Sequence, residues 1–407
     1  MHHIAFFPDM KFIYPVLLFF AEMLLPLISL VNPKIRKWYV AQKSFKSSFT
    51  SPIDKTRAYI WIHCASSGEF EQALPLIHAL KSRRKELRFA VSFFSVSGYD
   101  LYRNSNLADT FFNFPLDTKR NIATLIHLLQ PRGVIFIRSE LWLNTLLILK
   151  EQNIPVFLVN ARNVMSDSVF RKKYDNYCKQ LFTTVFYTDK YGTTKWDKAL
   201  ENKKKLFQSA VLEDFTNDKF CIMVGSSWNT EEAYAARFLK EYPDLKYIAF
   251  VLAPHEWDED RLQTNFDFDR VQFFSKYEDS KRRNVLFIDT KGILKYAYRY
   301  ADLAFIGGGF DKTLHNALEA VVYEIPVLAG PNHQKFEEVA DLIQQQRIVE
   351  INSYEDFKHE VIAQMEMQKS HFLNKQDSVD EMNAQKKYAS IKITEAIVKQ
   401  IRWEFHN

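Results

Sequence analysis

The chain of 407 residues is poor in the residue types that build stapled, metal-bound or P-loop folds. Its three cysteines, Cys64, Cys178 and Cys221, have neither zinc-site spacing nor the density of a disulfide framework, which is typical of a reducing compartment. Only 10 glycines are present. None of them forms the G-x-G-x-x-G dinucleotide pattern or the P-loop pattern. The chain also lacks an A-x-A cleavage site after its apolar amino-terminal run, so a signal peptide that is removed is not expected.

Charge is unevenly distributed, although the whole chain has a net charge of only +5. Residues 32–212 contain 29 Lys and Arg against 14 Asp and Glu, whereas residues 213–407 contain 24 against 33. The length suggests two domains, so the first domain is basic and the second acidic. We expect the basic domain to face an anion, namely a nucleic acid, an acidic lipid surface or a phosphorylated substrate.

Residues 12–31 form a mostly apolar run of bilayer-spanning length, interrupted by Pro15, Glu22 and Pro26. Basic residues follow the run together with Trp38 and Tyr39, which suits an anionic lipid surface and places the remaining chain on the cytoplasmic side. Residues 1–31 are therefore interpreted as a membrane anchor that either spans the bilayer or lies in its interface. The alternative is a buried hairpin of a soluble domain.

The first half repeats a strand, a short polar loop and a helix, which predicts a parallel, doubly wound sheet. Strands are predicted at residues 57–64, 89–95, 133–138 and 154–160. Glu69, Glu140, Asn160 and Arg162 follow such strands and are expected to converge at their carboxyl ends. Glu69 also lies three residues after Ser66, so a capping box is the structural alternative for this carboxylate.

The second half contains the clearest unit, residues 301–339. An apolar strand at 303–306 runs into Gly307-Gly308-Gly309, and a helix is predicted to open at His315. Backbone N–H groups at such a turn favour a phosphate, and Glu319 is suited to accept both hydroxyls of a ribose. The alternative is that Glu319 only complements the helix dipole.

Several segments, in the same order along the chain, resemble bacterial 3-deoxy-D-manno-octulosonic acid (Kdo) transferases. Ala65-Ser66-Ser67-Gly68-Glu69 is similar to the S-x-G-E loop of that family, and Glu140-Leu141-Trp142-Leu143-Asn144 to its E-L-W-P-N motif. Asn160-Ala161-Arg162 matches N-A-R, Gly225-Ser226-Ser227 resembles G-S-T, and His315-Asn316-Ala317-Leu318-Glu319 resembles H-N-P-L-E.

The resemblance implies an α/β fold of GT-B type, in which two Rossmann-like domains face each other across a cleft, with an amino-terminal membrane anchor. The implied organisation is an anchor at 1–31, an acceptor-binding domain at 32–212, a donor-binding domain at 213–385 and a terminal helix at 386–407. It implies Glu69 as the catalytic base, assisted by Glu140, and an acceptor site that includes Ser66, Ser67, Gly68, Asn160 and Arg162. The implied CMP-binding residues are Ser226, Ser227, Pro254, His255, Lys291, Gly292, Ile293, Gly308, Asn316, Ala317, Leu318 and Glu319.

The implied reaction is inverting transfer of Kdo from CMP-Kdo to a bisphosphorylated lipid A precursor at the cytoplasmic face of the inner membrane. Arg162 and Arg138 are candidates for the acceptor phosphates. Asp267-Phe268-Asp269 has metal-binding spacing but lies in a charged stretch, so we interpret it as surface and expect no metal or other cofactor. Alternatives are another two-domain nucleotide-sugar transferase or epimerase, a non-catalytic membrane-associated relative, or a nucleic-acid binder, which would leave Glu69 and Glu140 unexplained.

Overall fold

The computed structural model describes residues 7–138, 141–162, 168–278, 283–334, 336–371 and 389–401. The chain divides into two compact units. Unit 1 comprises residues 1–198 and 381–407, and unit 2 comprises residues 199–380.

Unit 1 is built on a six-stranded, fully parallel sheet with the strand order β3-β2-β1-β4-β5-β6. Its strands are β1 (Tyr59–Cys64), β2 (Arg88–Phe93), β3 (Thr110–Asn113), β4 (Pro131–Ile137), β5 (Val156–Ala161) and β6 (Thr184–Tyr187). Apolar side chains cover both faces, as a sheet flanked by helices requires. Along β1, Ile60 and Ile62 enter one core, and Tyr59 and Trp61 enter the other.

The helices of unit 1 form the two outer layers. They are α1 (Phe7–Val31), α2 (Pro33–Lys43), α3 (Ser67–Arg83), α4 (Val96–Tyr102), α5 (Lys119–Leu129), α6 (Leu143–Glu151), α7 (Val169–Lys179), α8 (Thr188–Tyr191), α9 (Thr194–Lys204, which continues into unit 2) and, from the carboxyl-terminal segment, α17 (Ala389–Gln400). A short 3-10 helix covers Phe45–Ser48. Helix α17 packs beside α3 and buries Ile393 and Ile397 in the same core.

Helix α1 differs from the rest because its apolar side chains stay outside the core. Within the described residues, Ile13–Val31 is the one helical stretch long and apolar enough to cross a membrane, and 6% of it is buried. Leu17, Phe19, Leu27 and Leu30 are all exposed. An apolar surface of this kind marks a lipid or protein interaction site.

Unit 2 contains a seven-stranded parallel sheet with the order β13-β12-β11-β7-β8-β10-β9. Its strands are β7 (Phe220–Ser227), β8 (Ile248–Pro254), β9 (Gln272–Phe273), β10 (Val285–Phe287), β11 (Leu303–Ile306), β12 (Val327–Ala329) and β13 (Ile348–Glu350). Its helices are α10 (Ala210–Thr216), α11 (Asn229–Glu241), α12 (Glu259–Asn265), α13 (Leu294–Ala297), α14 (Leu318–Val321), α15 (Glu337–Gln344) and α16 (Tyr354–His371). Three 3-10 turns lie at Phe268–Arg270, Phe274–Lys276 and Tyr298–Tyr300.

The two parallel α/β units confirm the predicted pair of Rossmann-like domains. The contact division falls between Lys198 and Ala199, earlier than the expected boundary at residues 212 and 213, because α9 carries the chain from one unit into the other. The terminal segment joins unit 1 through the packing of α17. Strands β9 and β13 were not assigned from the sequence; they contain two and three residues and give little periodic signal.

Candidate active site

In both sheets the strand order reverses at a pair of central strands, and the loops after those strands are where such sheets bind ligands. In unit 1 the pair is β1 and β4, followed by the Glu69 segment and by Arg138. In unit 2 the pair is β7 and β11, followed by Trp228 and by the Gly-rich turn. Glu140, predicted to assist catalysis, lies outside the described residues.

Glu69 is the third residue of α3 and lies just beyond the end of β1. Its Oε2 accepts the backbone N–H of Ala65 at 2.5 Å, and the side chain is 9% exposed. Ser66 is the N-cap of α3 but makes no side-chain capping bond, so the alternative of a Ser66–Glu69 capping box is not observed. Ser66 and Gly68 are exposed and Ser67 is half-buried, so this loop borders solvent beside the carboxylate.

Asn160 differs from the acceptor contact that was expected of it. It lies at the end of β5 with φ of 58°, and its side chain is buried. Its Nδ2 donates to Gln72 Oε1 at 3.1 Å and to Thr194 Oγ1 at 2.7 Å, while its Oδ1 accepts the Thr194 N–H at 3.1 Å. The Asn160 amide is therefore hydrogen-bonded inside the protein, and its bond to Gln72 connects it to helix α3.

Arg162 and Arg138, the candidates for the acceptor phosphates, both lie at carboxyl ends of strands in unit 1. Arg162 follows β5 and is half-buried, and its carbonyl oxygen accepts Lys179 Nζ at 3.3 Å. Arg138 follows β4 with φ of 68° and is also half-buried. The structure thus places both residues at the edge of the sheet where Glu69 lies.

Trp142 and His63 are a pair that the sequence did not single out. The indole N–H of Trp142 donates to His63 Nε2 at 3.1 Å, and His63 Nδ1 lies 2.8 Å from Ser92 Oγ. Because Nε2 accepts, the ring proton belongs on Nδ1. His63 is fully buried, and the centroid of its ring lies 4.4 Å from the centroid of the Phe114 ring. The pair fixes the segment that follows Glu140 in the chain.

The Gly-rich turn of unit 2 is held by a buried carboxylate. Glu231 Oε1 accepts the Gly308 N–H at 3.0 Å, and its Oε2 accepts the Trp228 N–H at 2.9 Å. The Gly307 N–H donates to Gly225 O at 2.8 Å. Two of the three glycine N–H groups are therefore occupied, which corrects the expectation that this turn presents them to a phosphate.

The environment of Glu231 explains its role. Its side chain is fully buried, and this burial raises the pKa of the carboxyl to about 7. The two N–H donors oppose that rise because they favour the ionised form. Close packing fixes the turn itself, since a Cβ on Gly307 would lie 2.1 Å from the carbonyl oxygen of Ser226, which has φ of 53°.

Ser227 also differs from its predicted role in donor binding. It is fully buried, and its Oγ donates to Glu232 Oε1 at 2.9 Å. Arg261 binds the same carboxylate through Nε and Nη2 at 3.1 and 3.2 Å. The hydroxyl of Ser227 therefore stabilises the loop from inside, whereas Ser226 is half-buried at its surface.

Trp228, His315 and His255 form a stack at the carboxyl end of the unit 2 sheet. The Trp228 indole N–H donates to His315 Nε2 at 3.0 Å, and the rings of His315 and His255 stack with centroids 4.1 Å apart. Burial, with a smaller contribution from His255, lowers the pKa of His315 to about 4. His315 is thus neutral at physiological pH with its proton on Nδ1. Only His255 of these three was predicted from the sequence.

The remaining predicted donor residues lie at the ends of β8, β10 and β11. Asn316 is exposed and its Nδ2 donates to Glu319 Oε1 at 3.1 Å. Ala317 and Leu318 have buried side chains, so only their backbone can meet a ligand. Pro254 and Ile293 are half-buried, whereas His255, Lys291 and Gly292 are exposed.

The helix expected to open at His315 is shorter than predicted. Helix α14 covers only Leu318–Val321, because the segment before it packs against the Gly-rich turn, as the bond from the His315 N–H to Gly307 O at 3.1 Å illustrates. A single helical turn has only a small macrodipole, so it would attract a phosphate less strongly than the expected longer helix.

The Asp267-Phe268-Asp269 segment is a surface turn. Asp267 Oδ1 caps the 3-10 turn by accepting the Asp269 N–H at 3.1 Å, and both carboxylates are exposed. Across the described part of the chain, no group of three or more His, Cys, Asp or Glu side chains is arranged to hold a metal ion.

The chain is similar in sequence to known proteins. The family model described as 3-deoxy-D-manno-octulosonic-acid transferase (kdotransferase) matches residues 41–195, which lie in unit 1 and include Glu69. The chain is 24% identical over 384 residues to the 3-deoxy-D-manno-octulosonic acid transferase of Haemophilus influenzae, covering 85% of this chain and 88% of the relative. It is 26% identical over 306 residues to the enzyme of the same name from Aquifex aeolicus, covering 72% and 82%.

Solved structures show the fold alone. The UDP-GlcNAc 2-epimerase of Neisseria meningitidis matches with a TM-score of 0.56 at 13% identity, covering 84% of this chain and 99% of that one. A putative UDP-N-acetylglucosamine 2-epimerase from Listeria monocytogenes matches with a TM-score of 0.55 at 14% identity, covering 84% and 96%. The two units thus correspond to the two α/β domains of the GT-B type of fold. In sequence, the chain is similar to bacterial 3-deoxy-D-manno-octulosonic acid transferases.

Proposed function

We propose that this protein is an inverting glycosyltransferase that moves Kdo from CMP-Kdo to a lipid A precursor in lipopolysaccharide biosynthesis. The observation that supports this most is the position of Glu69. A nearly buried carboxylate lies at the reversal point of the unit 1 sheet, inside the segment that matches the Kdo transferase family, and borders an exposed Ser66-Ser67-Gly68 loop.

Glu69 is the base in the proposed reaction. The Ala65 N–H holds Oε2 and thereby orients the carboxylate. The acceptor hydroxyl gives its proton to Glu69 while its oxygen bonds to the anomeric carbon of Kdo. The bond from that carbon to the CMP phosphate oxygen breaks, and CMP leaves with the electron pair. Because CMP is a stable anion, no general acid is needed. Glu140 is proposed to assist on the acceptor side.

Unit 2 is proposed to bind CMP. Asn316 and Glu319 are hydrogen-bonded to each other and are suited to the ribose hydroxyls. The phosphate is assigned to His255, Lys291 and the Nδ1–H of His315 rather than to the glycine N–H groups, since Glu231 and Gly225 occupy those of Gly308 and Gly307. Of the other predicted donor residues, Ser226, Pro254, Gly292 and Ile293 line the same end of the sheet. No metal or other cofactor is proposed.

The proposed location is the cytoplasmic face of the inner membrane, with α1 lying in the plane of the interface. Near its start, Tyr14 bonds to Asp117 of unit 1 at 2.8 Å. The helix after it, α2, is tied to the same unit by Lys37 and Asp100 at 2.9 Å. Because α1 is held to unit 1 at Tyr14 and continues into a helix that is held to the same unit, we propose that it lies along the interface and does not cross the bilayer. The basic charge of unit 1 suits the acceptor phosphates and anionic lipids rather than a nucleic acid.

The direct test is to incubate the purified protein with CMP-Kdo, generated in place, and a tetraacylated lipid A precursor. Mass spectrometry of the lipid should show a gain of one or more Kdo units. The gain should disappear in Glu69→Gln and persist in Glu86→Gln, a matched change at an exposed carboxylate.

Two other outcomes contradict the proposal in different ways. No transfer to several acceptors, with CMP still bound, would indicate a different nucleotide-sugar transferase or epimerase. No transfer and no CMP binding by a folded protein would indicate a non-catalytic relative.

A further inference from the structure

Tyr14 is the point at which the apolar helix α1 enters unit 1. Most of α1 faces outward, but Tyr14 is half-buried and packs against the core that contains Phe114 and Leu146. Its ring stacks on that of Tyr174 in α7, with centroids 6.1 Å apart. Its hydroxyl donates to Asp117 Oδ2 at 2.8 Å.

Asp117 fixes the first turn of α6. It is fully buried, and its two carboxylate oxygens accept the backbone N–H groups of Asn144 at 3.0 Å and Thr145 at 2.9 Å. Its Oδ1 also accepts the Thr145 hydroxyl, and its carbonyl accepts Asn144 Nδ2, both at 2.6 Å. The first N–H groups of a helix have no partner within it, and the N-cap Trp142 supplies none from its side chain. Asp117 therefore serves as the cap of α6 from outside the helix.

Tyr174 fixes the residue immediately after Glu140. Its hydroxyl donates to the carbonyl oxygen of Leu141 at 2.6 Å. Tyr14 thus contacts, through its hydroxyl and its ring, the two side chains that hold the segment from Leu141 to Thr145. This contact connects an exposed apolar helix with the loop after β4, at the reversal point of the sheet.

We propose that Tyr14 is a positioning residue that couples the docking of α1 to the geometry of residues 141–145, which follow Glu140 in the chain. Helix α1 is then a part of the acceptor side of the active site as well as an attachment to lipid. The description of this segment as the acceptor side rests on the proposed function, whereas the coupling between Tyr14 and residues 141–145 does not.

The test compares Tyr14→Phe with Tyr191→Phe. Tyr191 is a half-buried tyrosine on α8 whose hydroxyl has no hydrogen-bond partner among the described residues, so the chemical change is matched. In vesicles of phosphatidylethanolamine and phosphatidylglycerol, hydrogen exchange of the 141–151 segment is measured by mass spectrometry. Loss of a hydrogen bond to a buried carboxylate should speed exchange there by roughly tenfold in Tyr14→Phe, and not in Tyr191→Phe.

Two further measurements distinguish coupling of Tyr14 to residues 141–145 from a role of α1 in membrane attachment alone. Flotation with the vesicles should be the same for both variants, because Phe keeps the apolar surface. The KM for the lipid acceptor should rise by roughly tenfold in Tyr14→Phe, with the KM for CMP-Kdo unchanged. Tyr174→Phe, which removes the bond to Leu141, should shift exchange and acceptor KM in the same direction.

The proposal is overturned if Tyr14→Phe and Tyr174→Phe resemble Tyr191→Phe in both exchange and acceptor KM. It is also overturned if Tyr14→Phe only loses vesicle binding, since α1 would then be an anchor alone. Hydrogen exchange can be measured on a protein that is not catalysing any reaction. If the wild-type protein transferred no Kdo, the proposed function would be contradicted, but the exchange rates would still test the coupling.

Discussion

Glu69 and Glu231 occupy the same position in the two units: each is the third residue of the helix that follows the central strand at the reversal point of its sheet. Each accepts a backbone N–H from the segment before that helix. Glu69 is 9% exposed and borders solvent-exposed residues, whereas Glu231 is fully buried and also holds Gly308 of a distant turn. Equal topology therefore does not imply an equal role. Burial and partners distinguish a carboxylate suited to proton transfer from one that stabilises a loop.

Substituting the two carboxylates in the same way gives the largest expected difference. Glu69→Gln should lower the rate of Kdo transfer by about 10²- to 10⁴-fold, because a general base contributes about that much, while CMP affinity stays unchanged. Glu231→Gln should instead lower stability and CMP affinity together. Single-turnover kinetics and calorimetric titration with CMP separate these effects. If Glu69→Gln transferred Kdo at the wild-type rate, Glu69 would not be the catalytic base.

The pH dependence of stability provides a second separation. The pKa of Glu231 rises from 4.5 to about 7 on folding, so the unfolded chain releases this proton first as pH rises. The wild-type free energy of unfolding should therefore fall, relative to Glu231→Gln, as pH rises from about 4.5 to about 7, by roughly 3 kcal/mol in total. Below pH 4.5 the contribution is fully present. Urea titrations at several pH values measure the free energy of unfolding of both proteins. If this free energy changed with pH in the same way in both, the pKa of Glu231 would not be raised by burial.

Much of this architecture could be predicted from the sequence. Apolar runs alternating with helical segments predicted two parallel sheets, and polar residues after those runs predicted where the sites lie. Tertiary contacts could not be predicted. Glu231 is hydrogen-bonded to Gly308, 77 residues later in the chain, and Trp228 to His315, 87 residues later. Local sequence patterns do not predict such long-range contacts. For the same reason Ser227 and Asn160 were assigned to substrates, whereas their polar groups are used inside the protein.

Glycines in the two reversal-point loops differ in the space around them. A Cβ on Gly307 would lie 2.1 Å from Ser226 O, whereas a Cβ on Gly68 would meet nothing nearer than Ser66 Oγ at 3.9 Å. Gly307→Ala should cost roughly 1–3 kcal/mol of stability, as overpacking does. Gly68→Ala should be neutral or stabilising by about 0.5 kcal/mol, since Gly68 is in a helix. Urea denaturation measures both, and equal losses would contradict the close approach at Gly307.

The two tryptophan–histidine pairs give the smallest and most selective difference. Trp142 and Trp228 each donate to the Nε2 of a histidine, but His63 is fully buried and His315 is half-buried beside the exposed ring of His255. Trp142→Phe leaves a buried acceptor without a donor and should cost roughly 1–3 kcal/mol of stability. Trp228→Phe leaves an acceptor that water can reach, so stability should change less. CMP affinity should fall about three- to tenfold in Trp228→Phe, because His315 loses the bond that holds its ring, and it should not change in Trp142→Phe. Calorimetric titration with CMP and urea denaturation of both variants test the contrast. If Trp142→Phe weakened CMP binding as much as Trp228→Phe, the assignment of nucleotide binding to unit 2 would have to be abandoned.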